Sequence, residues 1–464
     1  MKKSLGHLLS LYLLVPAIIA GGCAAVPAAA PAVSSGAAEE APAQQAQETG
    51  QEVTAQETGA APETAAAEEA AQEEAAQEET AEQETAEEEA AEQEEAVVIS
   101  EDTKELVLSE EIPVDGADRP GEMRDLAPAE LIAEMTAGWN LGNSLDATSA
   151  PGLAAETSWG NPKTTKEMID AVCEKGFNTI RIPVTWDSHV GSAPEYEVDS
   201  EWMDRVQEVV NYAIDDGMFV ILDTHHEENW RILDDAHIDA VNAEHTALWR
   251  QIAERFKNYG DHLIFDGLNE PRVKGGANEW NGGTSEGRAC LNLLNQSFVD
   301  TVRGTGGNND KRLLLVTSFA SSAVIQTIGS LKIPEDDHLA VSIHAYTPYG
   351  FTYKVDADWA LSEWDGSHNY EIDKVMNDLK RIFIDKGIPV IITEYGAQNK
   401  DGNDKDVAAW AKYYVEKAKS LGIVCVWWDN GCYTTGNEQF GIFNRSDCTW
   451  YSEEVADAVT AAFR

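Results

Sequence analysis

The run I-F-D-G-L-N-E-P-R, residues 264–272, closes an apolar, strand-like segment on an amide and a carboxylate, Asn269 and Glu270, followed by Pro271. A carboxylate is costly to bury unless it is paired or opens onto a polar cavity. Pro271 biases Glu270 towards an extended backbone. A second apolar run, P-V-I-I-T-E-Y (389–395), carries Glu394 near its end. Two carboxylates in one cavity but in different surroundings can break a glycosidic bond. The protonated one donates to the leaving oxygen, and the ionised one attacks or stabilises the anomeric carbon. Other apolar runs end on Asn140 and Asn143, Asp223, His225, His226 and Glu227, His344 and Tyr346, and Trp427 to Asn430, with Arg181 inside another. Arg181 is the single cation in this set, and beside a Glu it favours the ionised form. Asn269 suits a sugar hydroxyl, and Tyr346 can donate to a carboxylate.

Each residue alone has a plainer reading. A strand-end Glu is usually a solvated rim residue, Arg181 could be a structural ion pair, and Trp428 could be core. His225 and His226 are metal-ligand types. The run H-H-E-E-N-W is not the H-E-x-x-H arrangement, however, and presents no third ligand, so neither a metal nor another cofactor is expected. The convergence of the set carries more weight than any member.

The runs that hold these residues recur at regular intervals. Strand-like segments are expected at 138–143, 178–184, 219–226, 263–270, 312–319, 339–346, 389–395 and 424–430. Amphipathic helical patterns lie between several of them. Three of these patterns stop at Gly176, Gly217 and Gly422, residue types suited to helix C-termini. Others cover 126–135 and 452–463. Eight β-then-α units within the last 340 or so residues predict a (β/α)8 TIM barrel, whose C-terminal strand ends form the active-site face. A doubly wound sheet is the alternative, but it gives no reason for eight units. No Gly-rich phosphate loop of a common kind is present, which argues against a nucleotide.

The chain has 464 residues and a formal net charge of −49. Twenty Glu and no Lys or Arg fall between Glu39 and Glu95, yet residues 101–464 still hold 62 acids against 31 bases. A phosphate backbone wants a basic footprint, so no nucleic-acid partner is expected. An uncharged ligand suits this surface, and a monomer is expected. Lys2 and Lys3, an apolar stretch and A-G-G-C at 20–23 read as an export signal over residues 1–22. The apolar stretch is too short to anchor across a bilayer. The signal resembles the bacterial lipoprotein type, which implies lipidation at Cys23 and makes a lipid anchor the only membrane contact. It departs from that type in having Ala20 where Leu is usual. Residues 23–121 are expected to form an Ala/Glu/Gln-rich disordered stalk and lead-in, because 24–100 hold no aromatic residue and too little apolar surface to offset ordering entropy. The location is then extracellular or at the cell surface. Cys432 and Cys448 are candidates to pair in such a compartment.

The segments G-W-N-L-G-N-S-L-D-A, N-T-I-R-I-P-V-T-W, G-L-N-E-P-R, S-I-H-A-Y-T-P-Y and I-T-E-Y-G-A together resemble glycoside hydrolase family five, in its bacterial cellulase branch. The resemblance covers about 122–464 and implies a retaining mechanism in a barrel over that range. It casts Glu270 as general acid/base and Glu394 as nucleophile. Arg181 would position and ionise Glu394, and Asn269 would bind the sugar 2-hydroxyl. His344 and Tyr346 would orient the carboxylates, with His225 in support and Trp428 as the platform under the sugar. Asp266, where Glu is common, and the T-E-Y of strand seven are local departures.

Sugars present apolar faces that stack on aromatic rings. Trp159, Trp186 and Trp230 fall in loops after strands one to three; Trp280, Tyr349 and Phe351 fall in loops after strands four and six. With Asn140 and His226, these are the candidate substrate contacts. The expected partner is a β-glucan polysaccharide cut internally, with cellulose-type β-1,4-glucan ahead of xyloglucan, mixed-linkage glucan and mannan. A barrel that binds glucan without cutting it is the reading from another class.

Overall fold

A computed structural model describes residues 117–434 and 438–463. The export segment, Cys23 and the acidic stretch lie outside the described residues. Eight parallel strands, β1 (Gly138–Leu141), β2 (Thr179–Ile182), β3 (Phe219–Asp223), β4 (Leu263–Asp266), β5 (Leu314–Ser322), β6 (Leu339–His344), β7 (Val390–Tyr395) and β8 (Val424–Asp429), close into a barrel in sequence order. The barrel shuts where Gly138 of β1 meets Val426 of β8. The helices are α1 (Pro128–Glu134), α2 (Lys166–Lys175), α3 (Ser200–Asp215), α4 (Ile238–Arg255), α5 (Ser285–Gly304), α6 (Ile325–Ile328), α7 (Tyr349–Thr352), α8 (Asn369–Ile382), α9 (Asp404–Lys419) and α10 (Glu453–Ala461). The expected (β/α)8 TIM barrel is the observed fold.

Local chemistry explains the element ends. Asp199 caps α3 by accepting from the Glu201 N–H at 2.9 Å. Gly176 sits at φ +111°, a left-handed conformation that a side chain would oppose, and so ends α2. The core has two layers. Ile180, Ile182, Val220, Leu222 and Phe265 point outward against the helices. Ile221, Ile264, Leu315, Ala340, Ile391 and Val426 point inward and pack with Leu131 and Ile132 of α1, which plugs the barrel floor.

The structure alters two expectations and adds two features. Strand β4 stops at Asp266, so Asn269 and Glu270 lie on the loop just beyond it. The end of the lead-in packs on the barrel: Pro120 bridges Tyr259 and the Gly121 N–H donates to Asn258 O at 3.0 Å. Cys432 and Cys448 are free thiols. A small hairpin, Phe443–Asn444 with Thr449–Trp450, follows β8 and has no counterpart in the sequence reading.

Candidate active site

The inward positions near the C-terminal strand ends form a charged layer above the apolar plug. Arg181 is fully buried at its centre. Its Nη1 donates to Glu394 Oε1 at 2.7 Å and to Asn140 Oδ1 at 3.1 Å, and its Nη2 donates to Asn269 Oδ1 at 2.8 Å. Nη2 also lies 2.7 Å from Asp223 Oδ2, and Nε lies 3.5 Å from Asp266 Oδ2. Asp223 in turn faces His225 Nδ1 at 2.8 Å. Burial pushes Asp223 up, but Arg181 and His225 outweigh it and hold the carboxylate below its usual value.

Glu394 reaches the cavity through an irregularity in β7. Ile343 pairs with Ile392, yet His344 pairs with Glu394; Ile392 pairs with Cys425, yet Tyr395 pairs with Trp427. Both neighbours therefore skip one residue of β7, the signature of a β-bulge. Strict alternation would send Glu394 outward with Val390 and Ile392. The bulge turns Glu394 in and leaves Tyr395 in the outer core. Asn140 Nδ2 donates to Thr393 O at 2.9 Å, satisfying a carbonyl at the bulge.

Glu270 and Glu394 converge on His344. Its Nδ1 lies 3.1 Å from Glu270 Oε1 and 3.3 Å from Glu394 Oε2. One oxygen of each carboxylate and one His344 nitrogen all lie within 4.8 Å of one another. Tyr346 donates to Glu394 Oε2 at 2.9 Å. Burial, then the neighbouring Glu394, push the Tyr346 phenol well above its ordinary value, so it stays a donor. Arg272, which the sequence reading passed over, fans across the other carboxyl. Its Nη1 donates to Glu270 O at 3.0 Å and lies 3.6 Å from Glu270 Oε2; Nη2 meets Glu228 at 3.0 Å and Nε meets Glu279 at 2.9 Å. Burial raises Glu270, but His344 and Arg272 outweigh it and bring it to about 2 in the free protein.

Asp266 is the surplus carboxyl of the layer, because one guanidinium faces three acids. Ser342 donates to its Oδ2 at 3.0 Å, while buried Oδ1 has no hydrogen-bond partner. Burial raises Asp266 from 3.8 to about 7 despite Arg181. Such a group binds its proton more tightly in the folded state. The stability it contributes is complete below about pH 4 and is lost as pH rises through 7. Asp266→Asn is therefore expected to flatten the decline in stability between pH 4.5 and pH 8 by a few kcal/mol. Urea midpoints of both proteins across that range measure it, and parallel curves would refute it.

The candidate contacts divide. Trp428 is inward, its ring parallel within 2° to His225 at 5.9 Å between centroids. Trp159 leans over His226 at 5.6 Å. Trp280 is 40 % exposed with Arg272 at 4.6 Å from its ring, and Tyr349 is 42 % exposed and stacked on Tyr353 at 5.3 Å. Trp186 is a correction: it is fully buried, and its indole N–H donates to Asp223 O at 3.1 Å, so it belongs to the core. Phe351 is likewise buried, against Trp364 and Trp410. Asn140 is fully buried and committed to Arg181 and the β7 bulge, which removes it from the substrate contacts. Trp230 packs partly on the core and spends its N–H on Glu227. Glu227 is itself buried, accepts from the Trp186 N–H at 2.7 Å, and is raised to about 7 by burial.

A closed parallel barrel with two carboxylates facing each other at its C-terminal rim is the architecture of a retaining glycoside hydrolase. Residues 145–434 match the family described as Cellulase (glycosyl hydrolase family 5), and the chain belongs to that family. It is 64 % identical over 342 residues to Endoglucanase A of Ruminococcus albus, covering 74 % of this chain and 94 % of that one. Among solved structures it resembles a broad-specificity endoglucanase from Ruminococcus champanellensis with bound cellotriose, at 46 % identity and TM-score 0.71, covering 73 % of this chain and all of the other. A xyloglucan-specific endo-β-1,4-glucanase from a metagenomic library, in complex with cellotriose, matches at 46 % identity and TM-score 0.70, covering 72 % of this chain and 98 % of that one.

Proposed function

We propose that this chain is a retaining endo-β-1,4-glucanase in which Glu394 is the nucleophile and Glu270 the general acid/base. The observation that carries the assignment is the close approach of the two carboxylates across His344, with facing oxygens within 4.8 Å. Retention needs carboxyl groups about 5–5.5 Å apart, whereas inversion needs roughly 6.5–9.5 Å to admit a water.

The environments separate the roles. Glu394 is held by Arg181 and Tyr346, both donors, so its negative charge is matched and its oxygens are aimed into the cleft. Glu270 is part exposed. Burial is already the largest influence on it, and a sugar that covers the carboxyl strengthens that influence and favours the protonated form. Glu270 then takes up the proton it will donate as substrate arrives. After Glu394 attacks the anomeric carbon and the aglycone leaves with the Glu270 proton, Glu270 is an ionised base for the incoming water. Asn269, held by Arg181, presents its amide to the sugar 2-hydroxyl. His225 and His226 line the sugar's other edge, and Trp428 lies beneath it.

The substrate class is β-1,4-glucan, with cellulose-type chains first and xyloglucan and mixed-linkage glucan close behind. The resemblance to both a broad-specificity and a xyloglucan-specific relative supports that breadth. The test is reducing-sugar release and viscosity loss on carboxymethylcellulose, xyloglucan, barley β-glucan, glucomannan and xylan, with the anomer of the first product followed by NMR. An early viscosity collapse on a glucan with a β-anomeric product is expected. An α-anomeric first product, or no release from any polymer, would overturn the reading.

Gly142 tests the Trp428 platform. A Cβ there would lie 2.8 Å from Trp428 Cη2 and 2.9 Å from the Asp429 carbonyl oxygen. Overpacking of this kind costs about 1–3 kcal/mol. Gly142→Ala is expected to tilt the ring and raise KM several-fold, with kcat less affected; an unchanged KM would remove Trp428 from the sugar site. The basic start, apolar run and Cys23 support export and lipid anchoring at the cell surface, with residues 24–100 as the tether. Mass spectrometry of the mature N-terminus tests this, and an unmodified N-terminus released into the medium would refute it.

A further inference from the structure

Asp146, His225 and His226 converge on the wall of the cleft between Trp428 and Trp159. Each offers one ligand atom, and the three atoms all lie within 4.8 Å of one another. The surroundings are those of a built donor set. His225 Nδ1 is engaged with Asp223 Oδ2 at 2.8 Å, which leaves Nε2 for a ligand. His226 Nδ1 faces Glu228 Oε1 at 3.5 Å. A carboxylate behind an imidazole fixes its tautomer and aims the other nitrogen, the usual support of metal-binding histidines. Asp146 is buried, and its two oxygens accept the Asn143 and Ser144 N–H groups at 3.0 and 2.7 Å. Those bonds set the carboxylate's direction while lone pairs remain. The sequence run H-H-E-E-N-W offered no third ligand because Asp146 arrives from the loop after β1.

We propose that Asp146, His225 and His226 bind a borderline divalent cation of the zinc type, and that the ion competes with the sugar for this wall of the cleft. Two imidazoles and a carboxylate, with open positions for water, are the donors such ions prefer. Neither Glu270 nor Glu394 takes part, so the ion is an inhibitor and not a cofactor. The competition rests on the glucanase reading above; the binding does not. His226 is only part buried, which leaves its ring open to an ion arriving from the cleft.

The full chain, stripped with chelator, is titrated with zinc chloride by calorimetry, and the cobalt(II) form is followed by visible absorption. One ion per chain is expected. Asp146→Asn and His226→Gln should each weaken binding at least tenfold, and Glu228→Gln, which touches no ion, should weaken it by roughly 10–100-fold. Cellotriose should displace cobalt from the wild-type protein, and zinc should raise apparent KM at constant kcat. In the unaltered protein, zinc should shield His226 from diethylpyrocarbonate, a readout independent of whether any variant folds. Absence of binding at millimolar zinc, wild-type affinity in both Asp146→Asn and His226→Gln, or unshielded His226 would overturn the site. A glucanase assay that fails while the isotherm stands would instead overturn the function.

Discussion

Glu394→Ala is expected to abolish polysaccharide cleavage, with a loss on the order of 10⁶-fold, the scale at which only binding and electrostatic catalysis remain. Glu270→Ala should lose less, about 10²–10⁴-fold, because it removes a proton donor and not the bond-forming group. The loss at Glu270 should nearly vanish for an aryl cellobioside whose leaving group needs no proton. Added azide separates the two variants by product. With Glu394 shortened, azide enters the vacated side of the sugar and gives the α-azide in one displacement. With Glu270 shortened, Glu394 still forms the glycosyl intermediate, and azide attacks it from the open face to give the β-azide. The same azide from both variants, or a Glu270→Ala that stays inert on the activated substrate, would reverse or refute the assignment.

Arg181→Met is expected to destabilise the fold by about 3–5 kcal/mol, the cost of leaving buried charges without their partner. Asp223 and Glu394 each lie 2.7 Å from the guanidinium, and Asp266 lies 3.5 Å away. Arg181 is fully buried, out of reach of bulk solvent. Arg181→Lys should recover part of the loss: it restores the charge but not the planar fork that meets Glu394, Asn140 and Asn269 together. Urea midpoints at pH 7 measure both. A loss below about 1 kcal/mol for Arg181→Met would show that the three acids do not depend on this cation, and would remove it as the support of Glu394.

Much of this was legible in the chain. Eight apolar runs spaced by amphipathic helices specify a barrel, because a strand buried on both faces reads as a continuous apolar run and its helix reads at a period of 3.6. Residue type marked the site, since Glu270, Glu394 and His344 near the ends of such runs, and Arg181 within one, are too costly to bury without partners. All four meet in the structure.

Local pattern could not assign direction or depth. Trp186 and Trp280 look alike in sequence, both in loops past a strand; the fold seals the first and leaves the second 40 % exposed. Asn140 looked like a ligand contact until the β7 bulge supplied a carbonyl for it. The bulge itself is the clearest case. Alternation along V-I-I-T-E-Y places Glu394 on the outer face, and only pairing with both β6 and β8 inserts the extra residue that turns it inward. Asp146 was invisible for a related reason, as His225 and His226 come from another loop, and Arg272 likewise meets Glu228 from the loop after β3. Composition and period determined the barrel and the kinds of group at its rim. Which of those groups face one another depends on register and burial, properties of contacts between distant segments that exist only once the barrel closes.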